Sequence, residues 1–380
     1  MLRDGNRRAF GRSSGGVPPN FWAAFNDAGA GAVSLALTAG TGSATFTRAT
    51  TAWTKLSTGL WAQVGTGVAR SCYLGANTAV GAYGGYLAEA AATNLCLQSR
   101  DLSTTWTALN ATLLKDQIGI DGVTNSASSM TATLANGSAL QTITEAATAS
   151  ALSMFIKRVT GVGTVTIQQG ASTSEISGSL NSSTYTRVEL DATVLNPAIG
   201  IVLGTNGDKI AVDMVQFENT ALKATSPIPT TTVAVTRNAD ILTYPTSGNV
   251  LGTIGTSSAQ VVTLASTGAI WLGTYSPSGI MLELSSGAVA MYDGTGTVTG
   301  QTFTGSITSI QKVASRWNTT AGKTYVAGSG TATGALDGDL SLGANFSVGS
   351  GLIGTFPTNG MMQNVKLWTV ALSDAQIASL

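Results

Sequence analysis

The restriction that bears hardest on this chain is the length of its apolar runs. Runs such as TVTIQQG (164–170), AIWLGTY (269–275) and TYTRVELDAT (184–193) stop at Gly, Asn or Ser after only a few residues. A run that short fits a strand and ends before a helix of ~10 residues could form. Thr45, Thr47, Ala49 and Thr51 alternate with Ala44, Phe46, Arg48 and Thr50, the period of two of a half-buried strand. No proline falls between Asn20 and Asn196, so interior strands are permitted along that whole stretch. Asn206–Gly207 is a tight-turn signal. The reading is all-β: tandem antiparallel β-sandwich or jelly-roll domains behind an extended N-terminal arm.

Boundaries follow composition. Residues 1–20 form the arm, 21–86 a small β region, 87–229 a jelly-roll sandwich, 230–237 a linker and 238–380 a second sandwich. The arm carries Arg3, Arg7, Arg8 and Arg12 against the single Asp4, followed by Gly15, Gly16, Pro18 and Pro19. It reads as a docking tail, with a solvated terminus as the plainer alternative. Only one element looks helical, the end of VKLWTVALSDAQIASL. There Ser373 stands at the N-cap, Asp374 in the first turn, and Ile377 and Leu380 on one face. Trp317 and Trp368 follow inward-pointing apolar alternation and are expected in the core.

The composition removes whole classes of chemistry. Histidine is absent, and with it the commonest general base and metal ligand. Cys72 and Cys96 show no zinc or redox spacing and are expected as buried thiols, a disulfide being the alternative. Charged residues make up 10% of the chain, with 19 basic and 19 acidic side chains, where about 25% is usual. A net charge of zero implies no attraction to nucleic acid or anionic membrane. No signal peptide and no membrane span are expected, nor any cofactor or metal. Three carboxylate pairs have spacings that glycan hydrolysis would permit: Glu189 with Asp191, Asp213 with Glu218, and Asp337 with Asp339. Each is also an ordinary turn or strand-surface pair, and no catalytic residue is expected. Asp337 and Asp339 in DGDL also have the oxygens of a calcium rim, but two carboxylates are few, and a plain turn is expected. For sugar stacking the candidates are Trp271, Tyr275 and Tyr292, with packing against a neighbouring domain or subunit as the alternative.

GGYLAEAAATNLCLQSRDLSTTWT resembles a segment of phage and prophage virion proteins, those with head-spike or head-fibre domains and tail-fibre-like proteins. Glu89, Thr93, Asn94, Leu95, Leu97, Ser99, Asp101, Leu102 and Trp106 carry the resemblance. The jelly roll that follows looks like a carbohydrate-binding module. It closes on AVDMVQFENTALKATSPIPTTTVAVTRNADIL, where Asp213, Val215, Gln216, Glu218, 224–230 and 235–240 match. The C-terminal domain resembles a concanavalin A-like, laminin G-like sandwich through Met362, Val365, Leu367, Trp368, Ala371, Leu372, Ser373, Asp374, Ile377 and Leu380. Where the family carries an arginine this chain has Ala92, which implies that a small local network is missing.

The resemblance implies a non-enzymatic structural protein on a bacteriophage virion surface: a spike, fibre or decoration protein anchored by its arm. Its partners would be other virion proteins of capsid, portal or tail, with a homotrimer the simplest assembly. The alternative is a receptor-binding tail fibre or glycan-binding adhesin that engages a host surface glycan. A glycan depolymerase ranks last.

Overall fold

The computed structural model describes residues 16–75, 81–219, 223–263, 268–272, 281–285, 288–292, 297–302, 310–327, 329–336, 342–351 and 357–380. Nearly every element is a strand, and every pairing among the described residues is antiparallel. The fold class expected from the sequence is therefore the one observed. The helical elements among the described residues are a 3₁₀ turn at Ser177–Ser179 and the terminal helix Asp374–Ala378. No described helix is long and apolar enough to cross a membrane.

The connectivity is nested. One sandwich is assembled from both ends of the chain. At the middle of its larger sheet runs Gly360–Trp368, between Tyr83–Ala88 and Ile254–Thr263. Phe21–Ala23 also pairs with that strand, Phe21 opposite Leu367. The facing sheet begins at Thr45–Thr47, which pairs with Ile241–Pro245, and continues through Asn345–Val348 and Gly268–Leu272. Residues 21–88 thus share both sheets with residues 241–368, and their cores are one. Phe21, Tyr244 and Phe346 meet edge-on or stacked at its centre, with ring centroids 4.9, 5.1 and 6.0 Å apart. Trp317 belongs to the same cluster and is fully buried. The backbones come close at Gly85, whose φ is +100°; a Cβ there would lie 2.1 Å from the Met362 carbonyl oxygen.

The second sandwich is inserted between Ala92 and Arg237. Its spine is Lys209–Asn219, which pairs with Ala149–Thr160 along one edge. On the other edge it pairs with Ala127–Ala132 and then with Asn94. A bulge at Met214, φ +50°, divides the spine in two. The facing sheet runs Thr107–Leu109, Gly137–Thr142, Ala198–Leu203, Val165–Gln169, Ser172–Glu175. Strict alternation of buried and half-buried residues in Val165–Gln169 shows why period two was visible there. Asn206–Gly207 does form a turn, but it carries the chain from one sheet to the other and closes no hairpin.

The terminal helix seals the outer face of the first sandwich. Ser373 Oγ accepts from Gln376 N (3.3 Å) while Gln376 Oε1 accepts from Ser373 N (2.8 Å), a reciprocal capping box. Trp368, Leu372 and Ile377 are buried with Ala314 and Tyr325. Asp374 is exposed, and Lys323 and then the Tyr325 hydroxyl hold its carboxyl down at about 2. The arm is tied down beside this helix at Val17 and Asn20. Trp368 Nε1 donates to Val17 O (2.8 Å), and Asn20 Oδ1 accepts from Thr369 N (2.9 Å). Arg3, Arg7, Arg8 and Arg12 lie outside the described residues.

Candidate functional site

Among the described residues, the densest cluster of buried charge lies where the inserted sandwich joins the first. The chain enters through Ala92–Asn94 and leaves through Val235–Arg237, two short strands paired with each other, Ala92 opposite Arg237. At the base of these necks five charged side chains are buried together: Arg48, Arg70, Glu89, Arg237 and Asp240. Asp240 bonds Arg48 (2.8 Å) and Arg70, and its amide donates to the Glu89 carbonyl (3.0 Å). Glu89 bonds Arg70 (2.9 Å) and Arg237, and also accepts from Ser226 N (2.7 Å) and Ser226 Oγ (2.6 Å).

Three guanidiniums face two carboxylates, and backbone dipoles make up the difference. Arg48 donates to the carbonyls of Thr50, Gly65 and Val68, Arg70 to that of Trp53, and Arg237 to that of Ala90. Burial alone would push the Glu89 carboxyl up. Arg237 and then Arg70 outweigh it and hold it at about 2, below its ordinary 4.5. The absence of an arginine at Ala92 does not strip the motif of a network, because Arg70 and Arg237 supply the cations from elsewhere in the chain.

The other matching residues continue the joint upward. Asn94 uses all four of its hydrogen-bonding positions: Nδ2 donates to the carbonyls of Val215 (3.0 Å) and Ile228 (2.8 Å), while Oδ1 accepts from the amides of Cys96 and Phe217 (both 3.0 Å). Thr230 N donates to Ser99 Oγ (2.8 Å), and Ile228 N to Gln216 Oε1 (2.6 Å). Beside the necks an apolar seam unites the units. Trp53 and Trp61, on the hairpin Ala52–Lys55/Trp61–Val64, pack with Ile120, Phe155, Tyr185, Ala211 and Met214. The Arg100 guanidinium lies over the Trp53 ring at 5.5 Å.

The carboxylate pairs are occupied by this architecture. Asp213 is gripped bidentately by Arg100 (2.8 and 2.9 Å) and accepts from Ile120 N (2.8 Å). Glu218 accepts from Thr225 N (2.9 Å), Thr225 Oγ1 (3.1 Å) and Gln216 Nε2. Burial raises the pKa of both, the direction a general acid needs, yet neither reaches solvent. Glu189 and Asp191 share Lys223 (3.8 and 2.7 Å) on the rim of Thr186–Thr193. Asp337 and Asp339 lie outside the described residues. Among the described residues no group of three His, Cys, Asp or Glu side chains is placed to hold a metal ion. Cys72 and Cys96 are both buried free thiols, in separate clusters.

Of the stacking candidates, Tyr292 is half-buried at the end of Ala288–Tyr292, opposite Met281 and Thr297. Trp271 stands in Gly268–Leu272 opposite Val348, and its side chain lies outside the described residues, as does the whole of Tyr275. A cleft of about 280 Å³ opens beside the joint, lined by Thr50, Thr51, Gln63, Thr66, Pro227 and Thr236 among others. The sequence pointed to Glu89 and the 224–240 stretch but not to Arg48 and Arg70. Their only local signal is charge set among small and apolar neighbours, as in VARSCYL.

The fold and the joint define an all-β protein of two nested sandwiches. No protein-family model matches the chain, and no curated protein matches it. Solved structures show a partial likeness. The carbohydrate-binding module CBM40 of the Ruminococcus gnavus IT-sialidase, bound to α2,3-sialyllactose, is 16% identical over 33% of this chain and 82% of that one, with a TM-score of 0.29. Domain 4 of AbnA, a GH43 extracellular arabinanase from Geobacillus stearothermophilus in complex with arabinotriose, is 18% identical over 37% of this chain and 72% of that one, with a TM-score of 0.31. The botulinum neurotoxin serotype D binding domain is 15% identical over 37% of this chain, which spans only 40% of it, with a TM-score of 0.30.

Proposed function

We propose that this chain is a non-enzymatic structural protein of a bacteriophage virion, displayed on the particle surface as a spike, fibre or decoration protein. One observation carries the reading. Many of the residues through which the sequence resembles phage virion proteins, from Glu89 and Asn94 to Arg237 and Asp240, are those that build the joint between the two sandwiches. The motif fixes one unit on another, which is what a projecting particle protein needs. It leaves no carboxylate free for acid–base work there. The arm, with Arg3, Arg7, Arg8 and Arg12, would dock on a capsid, portal or tail protein, and assembly as a homotrimer would follow the symmetry usual for such proteins.

Gold-labelled chain supplied during infection tests this. The full chain should appear on particles. A chain beginning at Gly16 keeps the Val17 and Asn20 contacts, so it should melt alike yet fail to join particles. Absence of label from particles would refute the virion reading, and equal incorporation of the shortened chain would place the anchor elsewhere. In a parallel end-point assay on host polysaccharide no new reducing ends should form. Release abolished by Glu189→Gln, Asp213→Asn or Glu218→Gln would make the protein a depolymerase.

A second reading, attachment to a host surface glycan, is favoured by the cleft beside the joint, whose threonine hydroxyls and Gln63 amide suit a neutral sugar. A glycan array with the purified chain decides it.

A further inference from the structure

Away from the joint, a groove of about 310 Å³ runs along the outer face of the first sandwich, between Phe21–Ala23 and the terminal helix. Its volume is at the lower end of the roughly 300–1,000 Å³ that small-ligand sites occupy. Trp22, Gln260, Lys312, Asn364, Lys366 and Ile377 line it, and no acidic side chain does. Strand register places these groups together. Trp22 stands opposite Lys366, Lys366 opposite Ser258, and Lys312 opposite Gln260 two residues along the same strand. Side chains two apart on a strand share a face.

The polarity of the groove is set by a relay. Trp22 Nε1 donates to Asn364 Oδ1 (3.3 Å), and Asn364 Nδ2 donates to Gln260 Oε1 (2.7 Å). Each link uses the acceptor oxygen of the next amide, so the relay ends on the Gln260 amide with its N–H donors outward. Lys366 is half-buried, its ammonium 4.6 Å from the centre of the Trp22 ring. Lys312 is exposed. Neither lysine has an ion-pair partner among the described residues, whereas Lys115, Lys209, Lys223 and Lys323 each have one. Burial and then Lys312 itself push the Lys366 pKa down, so the groove holds positive charge against a cost.

Two ammonium groups and a donor amide, with no acidic side chain beside them, call for an anion. The aromatic flank formed by Trp22 calls for a compact body attached to that anion rather than a free hydrated ion. We propose that the groove binds an acidic sugar, its carboxylate held between Lys312 and Lys366 and its body against the Trp22 ring. The site is distinct from the cleft beside the joint, and it does not rest on the virion reading, since the isolated chain suffices to test it.

The test is NMR titration of the full chain with D-glucuronate, D-glucose and inorganic phosphate. Glucuronate should shift the resonances of Trp22 and Gln260 saturably, with glucose and phosphate at least roughly tenfold weaker, the worth of one charged hydrogen bond. Lys366→Met and Lys312→Met should each weaken glucuronate roughly tenfold or more, while Lys115→Met, on the other sandwich, should leave it unchanged. Lys312 is exposed, so Lys312→Met should melt like the wild type, and the test survives if the Lys366 variant unfolds. No saturable shift with glucuronate, equal binding of glucose, equal binding of phosphate, or full affinity in Lys312→Met would each overturn the proposal.

Discussion

Asp240→Ala should destabilise the protein by about 3–5 kcal/mol, the usual cost of removing one partner from a buried ion pair. The loss is large because two guanidiniums depend on that carboxylate, Arg48 and Arg70, and both are fully buried. Without it three buried cations would face Glu89 alone. Asp240→Asn keeps an acceptor oxygen and nearly the same volume, and should fall between wild type and alanine. Urea unfolding at unchanged m-value reads the effect as a shift of midpoint. A loss below about 1 kcal/mol for alanine would mean that the guanidiniums are satisfied without the charge, and the joint would then not be electrostatic. Acid unfolding reports on the same cluster. Glu89 has a folded pKa of about 2 against an ordinary 4.5, so its contribution is complete above about 4.5 and is lost as pH falls toward 2. Asp213, Glu218 and Glu189 are raised by burial and act with the opposite sign: the folded state takes up their protons first, so stability gains as pH falls toward their ordinary values. The part of the acid loss that Glu89 carries should therefore fall below pH 4.5, amount to about 3 kcal/mol, and be missing in Glu89→Gln.

Leu372→Ala should cost about 2–5 kcal/mol, the range for emptying a buried leucine site. Leu372 lies between Trp368 and Ile377 under the terminal helix, with its amide bonded to Thr256 Oγ1 (2.9 Å) and its carbonyl to Arg316 Nη1 (2.7 Å). Because both backbone groups are anchored, the chain around it has little freedom to close over the cavity. Ser373→Ala removes half of the capping box and should cost only about 1 kcal/mol. The contrast between the two is the diagnostic. Thermal melts in which both variants match wild type would show that the helix does not seal the sheet.

That helix was legible in the sequence because everything that specifies it is local: a cap, an acidic first turn and two apolar residues three apart, Ile377 and Leu380. The strand Val165–Gln169 was legible for the same reason, since it shows its own alternation. Pairing partners were not. Nothing in FWA at 21–23 says that it lies beside Leu367, because a strand carries its period but not its neighbour's address. A small β region and a separate terminal sandwich were thus expected where the two share both sheets. The charge cluster was hidden by the same distance: Arg48 and Arg70 reach Asp240 across 192 and 170 residues. An arginine in a strand reads as a solvent-facing residue until its partner is known. The phage-like motif was visible as a string of letters, and only the fold shows that the string is a joint.

The nesting also fixes an order of events during synthesis. Residues 92–219 hold every strand of their own two-sheet core except the neck strand Val235–Arg237, so that unit has nearly all its strands early. The first sandwich does not. Tyr83–Ala88 and Ile254–Thr263 wait for Gly360–Trp368 to come between them, and Phe21–Ala23 waits for the same strand. Until the ribosome has passed residue 368, those strands carry unpaired edges, the surfaces on which nascent chains stick to one another. The buried charges share the delay in part, since Asp240 is made long after Arg48 and Arg70.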